Sequence, residues 1–135
     1  MSMFEKRITI IRIRKPSRTT LNEELQWFGN SFGLFNLRDR DKSCFRVFLE
    51  LLKAAKMRHP MSSDEIANNL SLSRGTVVHH INNLIERGMV SQIRQKYALR
   101  EPSLKDLMED LKKDSENMYD ELENAAQRID ELLGL

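Results

Sequence analysis

Between Ser71 and Val90 the chain reads SLSRGTVVHHINNLIERGMV, a stretch with apolar residues at helical spacing and a set of hydrogen-bonding side chains between them. Ser73, Arg74, Thr76, His79, Asn82 and Asn83 are donors and acceptors suited to recognition, with Gly75 among them. They do not form a catalytic set. His79 and His80 are adjacent, so on a helix they cannot both face one ligand site, which argues against zinc. Cys44 stands beside Phe45 on an apolar stretch with no base suggested nearby, and it reads as a small buried hydrophobe. The chain holds no Gly-rich phosphate loop, no HExxH and no nucleophile motif, so neither an enzyme nor a cofactor is expected.

The chemistry available is therefore that of a surface. At about 100° per residue, Val77, Ile81, Leu84 and Ile85 share one helix face and must be buried. The opposite face collects Gly75, Thr76, His79, Asn82 and Asn83, with Arg74 near the start. Gly75 costs helix stability, which suggests that something approaches closely there. Thr, Asn and His on the exposed N-terminal half of a helix suit base edges and phosphates, and the helix N-terminus itself favours anions.

Several elements must position this helix. Ser73 is its expected N-cap and Gly88 its stop. Ahead of it, Ser62 and Glu65 spell a capping box, with Met61 and Ile66 placed for a hydrophobic staple, so a short helix should span Ser63 to Leu70. A longer helix should open at Asp39 or Asp41, carry the stripe Phe45, Phe48, Leu49 and Leu52, and stop at His59–Pro60. After Gly88, MVSQIRQKYALR at 89–100 reads as two strands around a basic turn near Arg94–Lys96. The predicted order is helix, tight turn, helix, hairpin: a helix-turn-helix followed by a wing.

The stretch LSRGTVVHHINNLIERGMV resembles the recognition-helix segment of winged-helix transcription regulators of the ArsR/MarR type, archaeal in look, where a Ser-Arg-x-Thr-Val start and a Leu-x-x-x-Gly-hydrophobic end recur. SSDEIANNLSLS supplies the preceding helix and turn, and the resemblance spans roughly residues 39–100. It implies that the helix at about 73–87 enters the major groove of double-stranded DNA through Arg74, Gly75, Thr76, His79 and Asn82 or Asn83. Arg94 and Lys96 would then lie on the wing, meeting backbone or minor groove. Val78 replaces the polar residue usual at its position and is placed to touch a thymine methyl. There is no Cys-x-Cys pair, so the metal-sensing mode of such regulators gains no support. Winged helices also dock proteins, and a non-specific architectural DNA binder would share the basic character, so both alternatives stay open.

Charge supports a polyanionic partner. The first 101 residues hold eighteen Lys and Arg against ten Asp and Glu, a net +8, whereas residues 102–135 hold four against ten, a net −6. Three parts follow: 1–38, a basic strand and short helix; 39–101, the winged helix-turn-helix; 102–135, an acidic helix. With 40% hydrophobic and 31% charged residues, the 135-residue chain suits a soluble globular protein, and the elements above predict a mostly α fold with a small hairpin wing. No apolar run approaches the ~20 residues of a membrane span, the start lacks a signal peptide's pattern, and one cysteine fits a reducing cytoplasm.

RITIIRIRK at 7–15 reads as a strand or extended arm. Arg12 and Arg14 fall on one face, where they either track phosphates or are merely solvated while the strand pairs with another edge. Thr20 and Glu23 form another capping box, predicting a helix from about Leu21 through Phe28 and a loop at 29–35. Trp27, Phe28, Phe32 and Phe35 read as a core cluster; an aromatic pocket there would be the place for a small-molecule effector, whose identity stays unknown. In the acidic segment, Leu104, Met108, Leu111, Ser115, Met118, Leu122, Ala125, Ile129 and Leu132 alternate by four and three residues. That heptad seam predicts a long helix pairing with its copy in a homodimer, with folding back on its own domain as the alternative.

Overall fold

The computed structural model describes residues 7–15, 17–34 and 42–134. Its elements are α1 (Leu21–Ser31), α2 (Ser43–Lys56), α3 (Ser63–Leu70), α4 (Arg74–Glu86), β1 (Val90–Ile93), β2 (Lys96–Leu99) and α5 (Leu104–Leu133). This is a mostly α winged helix-turn-helix with a two-stranded wing and a long C-terminal helix. Among the described residues no helix is long and apolar enough to cross a membrane.

The helix starts follow from local hydrogen bonds. Thr20 and Ser62 each complete a reciprocal capping box, with Glu23 and Glu65 respectively. Ser73 accepts from the Thr76 N–H and Ser103 from the Asp106 N–H. α2 differs: Asp39 and Asp41, expected to open it, lie outside the described residues, and its N-cap is Lys42, left-handed at φ 56° and without a side-chain cap bond. α2 also ends three residues short of His59–Pro60, because Arg58 turns left-handed at φ 50° and the His59 N–H returns to the Ala54 carbonyl.

α1 corrects the expected loop at 29–35. The helix continues through Gly29 and Asn30 to Ser31, whose hydroxyl donates to the Trp27 carbonyl at 2.7 Å. Gly33, at φ 65°, is the stop, with the Leu34 N–H closing a 2.8 Å bond to the Gly29 carbonyl. Gly88 ends α4 in the same way, at φ 76°, with the Met89 N–H bonded to the Leu84 carbonyl at 3.1 Å. Phe35 lies outside the described residues.

The core is built by α2, α3 and α4 closing over one another, with Phe48, Leu51, Ile66, Val77, Ile81 and Leu84 fully buried. Met61 and Ile66, the predicted staple pair, are both buried. Phe28 joins this core through Phe32 (5.0 Å between ring centres) and Phe48 (6.0 Å). Trp27 leaves the expected aromatic core: it is half-buried and clasps the N-terminal segment, its Nε1–H donating to the Ile13 carbonyl at 3.0 Å. The wing pairs Val90 with Leu99 and Ile93 with Lys96, leaving Arg94 (φ 60°) and Gln95 as its turn. A bridge between Met61 and Tyr97 adds a third edge to this sheet.

Residues 7–15 are an extended arm rather than a strand. The arm is held by single backbone bonds, from the Arg7 N–H to the Glu86 carbonyl (2.8 Å) and from the Ile11 N–H to the Ser31 carbonyl (2.7 Å). Lys15 closes it over the Trp27 ring and pairs with Glu24 at 3.0 Å. α5 is likewise divided. Its first turns fold back on the domain through Leu107 and Leu111, both buried, with Leu104 and Met108 packed beside them. Leu107 lies off the predicted seam, and Leu111 belongs to the monomer's own core. Beyond Ser115, Met118, Tyr119, Leu122, Ile129, Leu132 and Leu133 are exposed.

Candidate nucleic-acid interface

The outward face of α4 is built by burying the inward one. With Val77, Ile81 and Leu84 buried and Ile85 half-buried, helical geometry leaves Gly75, His79 and Asn82 exposed in one stripe. At its head, the Ser73 hydroxyl accepts from the Thr76 N–H (3.1 Å) and donates to the Thr76 hydroxyl (2.8 Å). The cap thus consumes one free N–H of the first turn and points Thr76 along the stripe. No acidic residue belongs to that first turn to offset the positive end of the helix. A side-chain carbon added at Gly75 would meet nothing within 4 Å, so its place at the stripe's head is open.

The predicted residues separate at this point. Ser73, Gly75, Thr76, His79 and Asn82 lie along the stripe, and half-buried Val78 borders it. Arg74 is largely exposed, with its Nε 3.7 Å from an Asp64 carboxylate oxygen. Asn83 is turned towards α1: its Oδ1 accepts from Arg87 Nε at 3.3 Å, and Arg87 Nη1 in turn donates to the Phe32 carbonyl. His80 is half-buried and hydrogen-bonded to the Ser43 hydroxyl at 2.6 Å, which ties α4 to the start of α2. His79 and His80 thus face different surroundings, as adjacent residues on a helix must.

Arg94 and Lys96 are exposed at the wing tip, where the two-residue turn places them side by side with Gln95. Gln92 Nε2 donates to the Arg94 carbonyl at 2.9 Å, which fixes the turn. Glu65, near Lys96, titrates below the ordinary carboxylate range, chiefly because His59 hydrogen-bonds to it at 3.2 Å and secondly because the Ser62 N–H does. Arg12 and Arg14 are exposed on the arm, which meets α4 at Glu86, the end opposite Ser73. Cys44 is buried. Among the described residues no group of three or more His, Cys, Asp or Glu could hold a metal ion.

Sequence reasoning missed the buttresses. Arg46 Nη2 donates to the Leu70 carbonyl at 2.6 Å, holding the end of α3 where the turn into α4 begins. Arg100 binds Asp114 at 2.6 Å and Asp110 at 3.3 Å, pinning α5 to the base of the wing; the paired carboxylates raise the guanidinium's pKa further. Each joins residues far apart in the chain, and the residue types alone carried no signal for them.

A capped helix with an open polar stripe, set behind a tight turn and followed by a basic hairpin, defines a winged helix-turn-helix DNA-binding module. Residues 49–92 match the family model of bacterial regulatory proteins of the arsR family. The segment is therefore a winged helix-turn-helix of the ArsR type, and the protein is a DNA-binding transcription regulator carrying it. The match gives no support to an archaeal origin. No curated protein and no solved structure matches the chain.

Proposed function

We propose that the protein is a homodimeric, sequence-specific regulator that reads duplex DNA with α4 in the major groove and its wing on the backbone or minor groove, occluding a promoter. The observation that carries this reading is the stripe of Gly75, His79 and Asn82, exposed and headed by a first turn that holds no acidic residue. Thr76, His79 and Asn82 supply donors and acceptors at the spacing of successive base edges, and Arg74 reaches phosphate or guanine once it leaves Asp64. Arg94 and Lys96 hold the hairpin to phosphates.

The exposed apolar face of α5 supports self-association. A lone helical extension leaving Leu122, Ile129 and Leu132 in water is marginal, and pairing with a second copy covers them. A two-fold dimer then offers two recognition helices to half-sites about 34 Å apart. The test is binding to random and genomic duplexes across a salt series. Affinity should fall steeply with salt for every duplex, through counterion release, while a subset of genomic fragments retains an advantage at each salt concentration. A flat salt response, or no duplex binding at low salt, overturns the reading.

A further inference from the structure

A trough of about 510 Å³ lies between the N-terminal arm and the first half of α5. Ile10 of the arm, Phe32 just after α1, and Met108 and Leu111 of α5 give it walls of hydrocarbon, ring and thioether. Three charged side chains border it, Lys105, Glu109 and Lys112, all exposed. Among the described residues neither lysine is held in an ion pair. Glu109 stands between them on the helix and offsets one ammonium group but not both. Asp110 and Asp114 are bound by Arg100 on another side of α5, and neither Asp106 nor Glu116 lines the trough. On the arm, the residue that follows Ile10 on the same side of an extended chain is Arg12, a further exposed cation.

Cavities of about 300–1,000 Å³, mostly apolar with a few polar groups at the edge, are what small organic ligands occupy. Leu122, Ile129 and Leu132, which support self-association, lie further along α5 and do not line this one. A purely apolar solute would leave the lysines unanswered, and a small hydrophilic anion would leave the apolar walls in water. We propose that the trough binds an amphipathic monocarboxylate, with its acyl chain along Ile10, Phe32, Met108 and Leu111 and its carboxylate met by Lys105 and Lys112. A single negative charge suits a rim on which Glu109 already offsets one lysine, whereas the same carboxylate opposes a dianion.

Binding here requires neither DNA nor a second copy, yet the site adjoins the anchorage of the recognition helix. The Phe32 carbonyl accepts from Arg87, and the arm that carries Ile10 holds the Glu86 carbonyl through the Arg7 N–H. A ligand in the trough therefore touches both segments that tie down the last turn of α4.

The full-length protein is titrated with octanoate, decanoate and laurate, each below its micelle concentration, and followed by calorimetry and by isotope-labelled methionine methyl signals. One site per chain is expected, tightening roughly two- to fourfold for each added methylene as the chain becomes buried. Decanol, equally long but uncharged, should bind roughly threefold more weakly than decanoate, or weaker still. Lys105→Gln with Lys112→Gln should abolish that difference and keep the dependence on chain length. The Met108 methyl should shift, and Met57, exposed but outside the trough, should not. Ile10→Asp, a change on the exposed arm, should weaken laurate roughly tenfold and leave the circular dichroism spectrum unchanged. No binding of laurate, equal binding of decanol and decanoate, or a carboxylate preference that survives loss of both lysines overturns the proposal. So does a response as large at Met57 or Met118 as at Met108, or binding that appears only once micelles form.

Discussion

Gly75→Ala should move stability and DNA affinity in opposite directions. Gly75 is the second residue of α4, exposed, with nothing within 4 Å of an added carbon, so alanine brings no clash in the free protein. Alanine also restricts the unfolded chain and favours the helix, a gain of about 0.5–1 kcal/mol in a helix interior. In a first turn the lower end applies, about 0.5 kcal/mol, or roughly 1–3 °C in melting temperature for a chain of this size. On DNA the same methyl would occupy the space through which the groove approaches the helix backbone. Loss of one well-fitted contact there corresponds to about 1–3 kcal/mol, roughly a five- to 150-fold weaker Kd at the specific site. Thermal melting by circular dichroism and gel shifts at one fixed salt concentration measure the two effects on one preparation. A stabilised variant with unchanged affinity would show that Gly75 does not face the groove. A destabilised one would contradict the open space at its side.

Four further outcomes follow from other contacts. His79→Ala or Asn82→Ala should cost about 1–3 kcal/mol at a specific site, whereas Arg94→Ala or Lys96→Ala should weaken all duplexes alike; equal losses on random DNA for all four would refute the division of roles. Arg100→Ala strands Asp110 and Asp114 on α5 and should cost about 2 kcal/mol in urea melts, as charged hydrogen bonds do, and an unchanged midpoint would show that α5 is not pinned there. Leu111→Asp should unfold the domain because Leu111 is buried, whereas Leu122→Asp should leave the fold intact and yield monomers by light scattering. Glu65 titrates below its usual range, so the stability it contributes is present above the unfolded carboxylate's pKa and is lost as pH falls through the lower folded value; Glu65→Gln should flatten that acid limb, and an identical pH profile would exclude the role.

What the sequence made legible was local. Capping at Thr20, Ser62 and Ser73 depends on atoms three residues away, so the spacing alone revealed it. The buried face of α4 was legible for the same reason, since Val77, Ile81 and Leu84 repeat with the helix. Choosing between Gly29 and Gly33 as the end of α1 required knowing which one turns left-handed, and neighbouring residue types do not say. Asn82 and Asn83 are chemically identical in the sequence; Arg87, reaching back to the Phe32 carbonyl, is what draws Asn83 inward. The seam of α5 was read with the right period but as one continuous surface. A heptad pattern records which residues are apolar along a line and not that packing on the domain ends midway, and Leu107, buried off that line, belongs to the half that folds back.

The two ends of α4 are held very differently. Its first turn carries the cap at Ser73 and the open site at Gly75. Its last turn is tied down, with Arg87 bound to the end of α1 and the Glu86 carbonyl accepting from the arm at Arg7. The exposed stripe at the first turn is thus flanked by the Arg74–Asp64 pair alone, while the other end is fixed to α1 and the arm. Helix capping and core packing set what one recognition helix presents. In the proposed dimer, the distance between two of them would be set by α1, the arm and α5 together, because those elements join the tied end of α4 to the exposed face of α5. Half-site spacing should therefore respond to substitutions in the arm or on that face, such as Ile10 or Met118, even though they touch no base.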